Sequence, residues 1–374
     1  MGASIKSVSE EQIAELNELE DAAVELRDKL DLKGAHGVLR RHLELARSVY
    51  GDGDEQTIES MMAVCESYCE LGESKASIDM ARNALELSEK YLVDGHEVIG
   101  TANQCLGNML SFAGMYEEAE AYLRKALATY SEKFGLNGVE TGRVTHDLGL
   151  MLMRSGDHER AEPLLRRAVS IFEGSEDTGS CSPASALHTL GHLMFIKGNL
   201  DSAGSLLRRA LQLKEETLGQ DDPDTALTLS MLADVSADKD DGADPEPLFL
   251  RAIAIEERVL GPDHPQLAGT LFKYARYLED RESVENNRKA IPLFRRTIGI
   301  FENFDGNADV TLAAACRRLA RLLIDDGAYA EAEQFLVRAQ NIRRTMVDRD
   351  LEVDEIINKL LQSAQGKRSA ASTS

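Results

Sequence analysis

Residues 115–130, Met-Tyr-Glu-Glu-Ala-Glu-Ala-Tyr-Leu-Arg-Lys-Ala-Leu-Ala-Thr-Tyr, decide the fold, because copies of this stretch recur at a fixed interval in both directions. Arg124 has counterparts at Arg40, Arg82, Arg166 and Arg208, each 42 residues from the next. The alanine two positions on keeps the same step, at Ala84, Ala126, Ala168, Ala210 and Ala252. A period of this length held over several copies marks an array of helical hairpins, in which each repeat packs only on its neighbours. We expect an all-α fold, a right-handed α-solenoid of about eight antiparallel helix pairs.

Outward from that stretch, each repeat reads as two helices. The first ends at a glycine, with Gly72, Gly114, Gly156 and Gly198 again 42 apart, where a left-handed residue closes the helix. Within the first helices a large apolar residue precedes a small one: Val64-Cys65, Leu106-Gly107, Leu148-Gly149, Leu190-Gly191, Leu232-Ala233, Tyr274-Ala275 and Leu319-Ala320. The small residue lets the partner helix approach. Between repeats, Leu260-Gly261-Pro262-Asp263-His264-Pro265 places a helix end, a polar cap and a proline at the start of the next helix. Pro163, Pro247 and Pro292 share one position early in the second helices, which suits a place in or just after the first turn, with a small local kink otherwise.

The ends and two middle repeats depart from this pattern. Residues 1–8 read as a disordered lead-in, and residues 9–53 as an irregular first pair. It opens on a Ser9/Gln12 capping box, and its inter-helix turn is about four residues short. Regular repeats run from 54 to 346. The fifth has Asp238-Lys239-Asp240-Asp241-Gly242-Ala243-Asp244-Pro245 in place of the short turn; this acidic run misses calcium-loop spacing and reads as a solvated turn. The sixth lacks the glycine and gains three residues within 279–289. Val353, Ile356, Ile357, Leu360 and Leu361 form a one-sided stripe, expected as a capping helix over 347–365, with a disordered tail over 366–374.

The balance of 42 basic against 65 acidic residues, net −23, excludes general affinity for nucleic acid or anionic membrane. No apolar run approaches the ~20 residues of a membrane span and no signal peptide is evident, so a cytoplasmic protein is expected. Five cysteines make no disulfide framework. Cys65 and Cys69 share a helix face without further zinc-spaced ligands, and Cys65 fills the small-residue slot. No nucleotide loop, nucleophile elbow or metalloprotease motif is present. We expect no enzymatic activity and no cofactor.

The run of glycine, aromatic, Glu-Glu-Ala-Glu, leucine, basic pair and alanine, followed by Leu-Gly-Pro-Asp-His-Pro, resembles the 42-residue tetratricopeptide repeats of the kinesin-light-chain type over residues 34–346. The resemblance implies that the first helices line a concave groove, and that the positions two before and two after each large register residue face it. These are Met62 and Glu66, Gln104 and Asn108, His146 and Leu150, His188 and His192, Ser230 and Asp234, Phe272 and Arg276, and Arg317 and Arg321. The pair of positions that carries two asparagines in that family holds Gln104-Cys105, His146-Asp147, His188-Thr189 and Ser230-Met231 here.

From this inventory the expected function is an adaptor that binds an acidic partner peptide. Arg276, Arg317 and Arg321, with Arg143 one turn before His146, would grip carboxylates, while Gln104 and Asn108 would fix backbone amides and His146, His188 and His192 would line the middle. The alternative for each is a partner inside the array, at Glu66, Asp234 or Glu279. The histidine trio could also bind zinc or sense pH. Two further functional readings stay open: a peptide or small-molecule sensor whose superhelix changes shape, and a self-assembling structural protein. For the first reading a monomer or weak homo-oligomer is expected.

Overall fold

A computed structural model of the chain describes residues 9–29, 31–175, 183–239, 242–303, 309–345 and 350–373. The lead-in expected over 1–8, and Asp240-Asp241 of the acidic run, lie outside them. Among the described residues are seventeen α-helices and no strand, eight pairs in chain order and a last helix. They fall into two compact units, Met1–Lys197 and Gly198–Ser374.

Unit one holds α1 (Glu10–Asp28), α2 (Leu32–Tyr50), α3 (Glu55–Glu70), α4 (Ser74–Tyr91), α5 (Glu97–Phe112), α6 (Tyr116–Phe134), α7 (Val139–Arg154), α8 (His158–Glu173) and α9 (Pro183–Ile196). Each helix packs on the next, and the first helices α3, α5, α7 and α9 also pack side by side. Unit two repeats this with α10 (Leu200–Thr217), α11 (Pro223–Lys239), α12 (Glu246–Val259), α13 (Pro265–Asp280), α14 (Val284–Glu302), α15 (Asp309–Asp325), α16 (Tyr329–Thr345) and α17 (Leu351–Thr373). Here α11, α13, α15 and α17 lie side by side. The fold is an all-α solenoid.

The register residues explain why the hairpins close. Val64, Leu106, Leu148 and Leu190 are buried, as are Leu232, Tyr274 and Leu319 in unit two. A Cβ placed on Gly149 would stand 2.8 Å from Leu165 of α8, and one on Gly107 2.7 Å from Leu123 of α6, so a side chain in either slot would have to push that leucine aside. Gly72, Gly114, Gly156, Gly198 and Gly327 take φ between 75° and 83°, the left-handed conformation the turns require. Where the sixth repeat lacks its glycine, Glu282 adopts φ 48°, the one non-glycine residue with positive φ among those described.

Caps follow the loop grammar. Asp54, His96, Asp222 and His264 each accept a hydrogen bond from the backbone N–H two residues on. Burial holds His264 below the usual histidine pKa, which keeps the lone pair on Nδ1 that the cap uses. Ser9 and Gln12 form the expected capping box. The quoted stretch supplies inter-repeat ties: Glu118 accepts from Arg82 at 2.6 Å and Glu120 from Arg160, with Arg124 of the same helix also donating to Glu120.

Three expectations change. The connection between α1 and α2 spans residues 29–31, the same length as residues 71–73 between α3 and α4, so the first turn is not short. Its irregularity is Ala22, which stands 42 residues before Val64 where later first helices carry a large residue. The three extra residues of the sixth repeat extend the start of α14, so Pro292 sits well inside that helix, whereas Pro163 lies just after the first turn of α8. Finally, the expected tail over 366–374 is helical as far as Thr373, because α17 continues along α16, where Gln365 and Arg368 both bond Glu333.

No helix among the described residues is long and apolar enough to cross a membrane.

Candidate functional site

The first helices present one face per unit. On that face the expected positions lie as follows. In unit one Gln104 and Asn108 of α5 both donate to the same oxygen of Asp147 on α7, at 2.7 and 2.9 Å. Their amides are thus engaged within the array rather than waiting for a partner's backbone. His146 Nε2 stands 3.1 Å from the Thr189 hydroxyl of α9, and Arg143 pairs with Glu140 one turn earlier at 2.5 Å. His188 and His192 are half-buried on α9. The expected trio does not converge: among the described residues no three His, Cys, Asp or Glu side chains are placed to hold a metal ion.

Asp147 is the electrostatic centre of this face. Burial pushes its carboxyl pKa up, but bonds from His146, Gln104 and Asn108 outweigh that and hold it below the ordinary aspartate value. Three neighbours thus fix one charge.

In unit two the ties are ionic. Arg276 of α13 donates to Asp234 of α11 at 2.6 Å and to Asp238 at 3.3 Å. Lys273 donates to the Ser230 hydroxyl at 3.2 Å, and burial lowers its pKa. Glu279, its side chain wholly buried, is gripped by two arginines of α15: Arg318 at 2.5 Å and Arg321 at 2.8 Å. Arg317 on the same helix is half-buried and has no hydrogen bond or ion pair among the described residues. Burial, and the neighbouring charges of Arg318, Arg321 and Arg343, lower its pKa against the pull of Glu279. Of the expected cations, Arg276 and Arg321 are therefore spent inside the array on Asp234 and Glu279, and Arg317 is left over.

The sequence reading followed the positions two before and two after the register residue and missed the one immediately before it. Asp147, Thr189, Lys273 and Arg318 occupy that position, and each reaches back to the preceding first helix: to Gln104 and Asn108, His146, Ser230, and Glu279. Cys105 occupies it too, and lies 3.5 Å from Cys65 in the small-residue slot of α3. A signal was available in complementary residue types about 40 apart, Asp147 against Asn108 and Arg318 against Glu279.

A family model described as a tetratricopeptide repeat matches residues 97–174 and 182–241, and a second with the same description matches residues 225–266. No curated protein matches the sequence. Among solved structures, the apo quorum sensor NprR from B. thuringiensis superposes with a TM-score of 0.61 at 15% identity, covering 90% of this chain and 90% of that one. The Rap conjugation gene regulator of the plasmid pLS20, solved with the Phr* peptide, gives 0.57 at 14% identity, covering 94% and 96%. A Rap protein complexed with Competence and Sporulation Factor gives 0.55 at 14% identity, covering 90% and 98%. At these identities the likeness is one of fold. The matched residues read as tetratricopeptide repeats, and the 42-residue hairpin grammar continues on either side of them.

Proposed function

We propose that the chain is a non-enzymatic cytoplasmic adaptor that binds a peptide of acidic character on the first-helix face of unit two, with Arg317 receiving a carboxylate. The observation that carries this reading is the leftover cation. Arg318 and Arg321 are held in place by the buried Glu279, while Arg317 beside them is half-buried and unpaired among the described residues. A guanidinium crowded by like charges loses solvation without a compensating partner. An incoming carboxylate supplies that partner, and two parallel N–H···O bonds make guanidinium the side chain suited to it.

Support of a coarser kind comes from the fold. Solenoids of this type among the similar structures hold peptides, as the Rap regulator bound to Phr* does. The matching family models describe repeats, not a catalytic domain. In unit one the corresponding donors serve Asp147, so that face has no comparable unpaired cation at the expected positions.

Fluorescence anisotropy with a labelled octaglutamate, and with its octaglutamine counterpart, tests the reading. Wild type should bind the acidic probe more tightly as salt is lowered, and Arg317→Gln should weaken it about tenfold, the loss of one charge-assisted contact. Equal binding by wild type and variant would remove Arg317 from the site. Equal binding of the two probes would remove the acidic peptide.

A further inference from the structure

A different feature of unit one points to a second and opposite chemistry. Whereas the backbones of α3 and α5, and of α5 and α7, lie close together, α1 stands off from α3 and is tied to it by Arg27, which donates to Glu70. The space between them is a cavity of about 440 Å³ open to solvent, walled by α1 and α3 and floored by α2. Small side chains widen it, Ala23 on α1, Ala46 on α2 and Ala63 on α3.

The lining combines apolar surface with negative charge. Ile13 and Val24 of α1 line it and are 43% and 53% exposed, more than isolated surface side chains need be when they share one concavity. Leu16, Leu39 and Ala46 deepen the apolar floor. Glu20 stands on one wall and Glu59 on the other. Burial, and the fields of Glu55, Glu97, Glu20 and Asp54, raise the pKa of Glu59, the mark of carboxylates crowded without a countercharge. His42 on the floor does not supply one, since burial lowers its pKa despite the pull of Glu20. The one lining cation, Arg27, is engaged by Glu70 at 3.3 Å.

We infer that the cleft between α1 and α3 is a docking site for a cationic amphipathic peptide segment, which seats apolar side chains on Ile13, Val24 and the α2 floor and sets a lysine or arginine between Glu20 and Glu59. The volume suits a few side chains, not a whole domain. Charge complementarity selects the occupant: an acidic segment would meet two carboxylates, and a purely apolar one would leave both desolvated without a partner. The site is separate from the arginine cluster of unit two and does not depend on it.

The test uses a fluorescein-labelled decapeptide of alternating leucine and lysine, and the same peptide with glutamate for lysine, against the full chain. Wild type binds the lysine peptide in a salt-sensitive manner and not the glutamate peptide. Glu20→Gln combined with Glu59→Gln, both exposed and isosteric, weakens binding about tenfold. Ala63→Leu, which fills the cavity without changing charge, weakens it comparably, while Arg317→Gln leaves it unchanged. The inference is overturned if wild type does not bind the lysine peptide, if both peptides bind alike, or if the glutamine variant binds as wild type does. Loss in the charge variant with full binding in a folded Ala63→Leu protein would also overturn it, because attraction would then be to the surface rather than the cleft.

Discussion

The first-helix face of unit one is tied by two amides and an imidazole around Asp147, whereas that of unit two is tied by guanidinium and ammonium groups around several acceptors. Gln104, Asn108 and His146 surround Asp147; Arg276, Arg318 and Arg321 surround Asp234 and Glu279, with Arg317 in excess. The same repeat geometry therefore yields one face that is electrostatically closed and one that is open. The difference is written at the position before the register residue, which is acidic in α7 and basic in α13 and α15.

Removing the central carboxylate of each face should separate the two most strongly. Glu279→Ala leaves two arginines facing a buried void and should destabilise by about 3–5 kcal/mol, the range for breaking a buried ion pair. Asp147→Ala leaves neutral amides that can turn to water, and should cost about 1.5–3 kcal/mol. Urea denaturation measures both. If Asp147→Ala proves the costlier, the contrast between the faces fails.

Next in size is a pH effect carried by Asp147. Its folded pKa lies below the ordinary value, so its contribution is complete above the unfolded pKa near ~3.9 and disappears as pH falls through the folded one. Melting temperatures of wild type and Asp147→Ala should therefore converge below about pH 4. A gap that persists undiminished in acid would show that Asp147 acts by packing alone.

Much of the fold was legible because it rests on local rules repeated many times. Glycines at a 42-residue step announced left-handed helix ends, and a large-small pair announced close hairpins. Two things were not legible. The α1–α2 turn was misjudged since it carries no glycine to mark it, and the tail over 366–373 was read as disordered since its contacts, Gln365 and Arg368 with Glu333, lie more than 30 residues away. At the site, the groove-facing positions came from the resemblance to kinesin-light-chain repeats, but whether a charge there is spent or spare depends on a partner one repeat distant. Arg321 and Arg317 look alike in sequence; only Glu279 distinguishes them.

Smaller effects sharpen the picture of unit two. Burial raises the pKa of Glu256, against bonds from Thr270 at 3.0 Å and Gln266 at 3.1 Å. Its stabilising influence is then fully present below the unfolded pKa near ~4.3 and is lost as pH rises through the folded value. Glu256→Gln should accordingly raise the melting temperature at pH 7 and leave it unchanged at pH 4, as calorimetry would show. Glu282→Gly should relieve the left-handed turn and add up to about 1 kcal/mol of stability. A loss there would mean that the Glu282 side chain contributes more than its backbone costs.

The most direct test of the central claim is to watch the arginine Nε–H resonances, assigned by substitution, while octaglutamate is titrated into the full chain. The account predicts that Arg317 shifts first and furthest, that Arg318 and Arg321 follow weakly because Glu279 holds them, and that Arg143, paired with Glu140, stays where it was. A titration that moves Arg143 and leaves Arg317 still would contradict it.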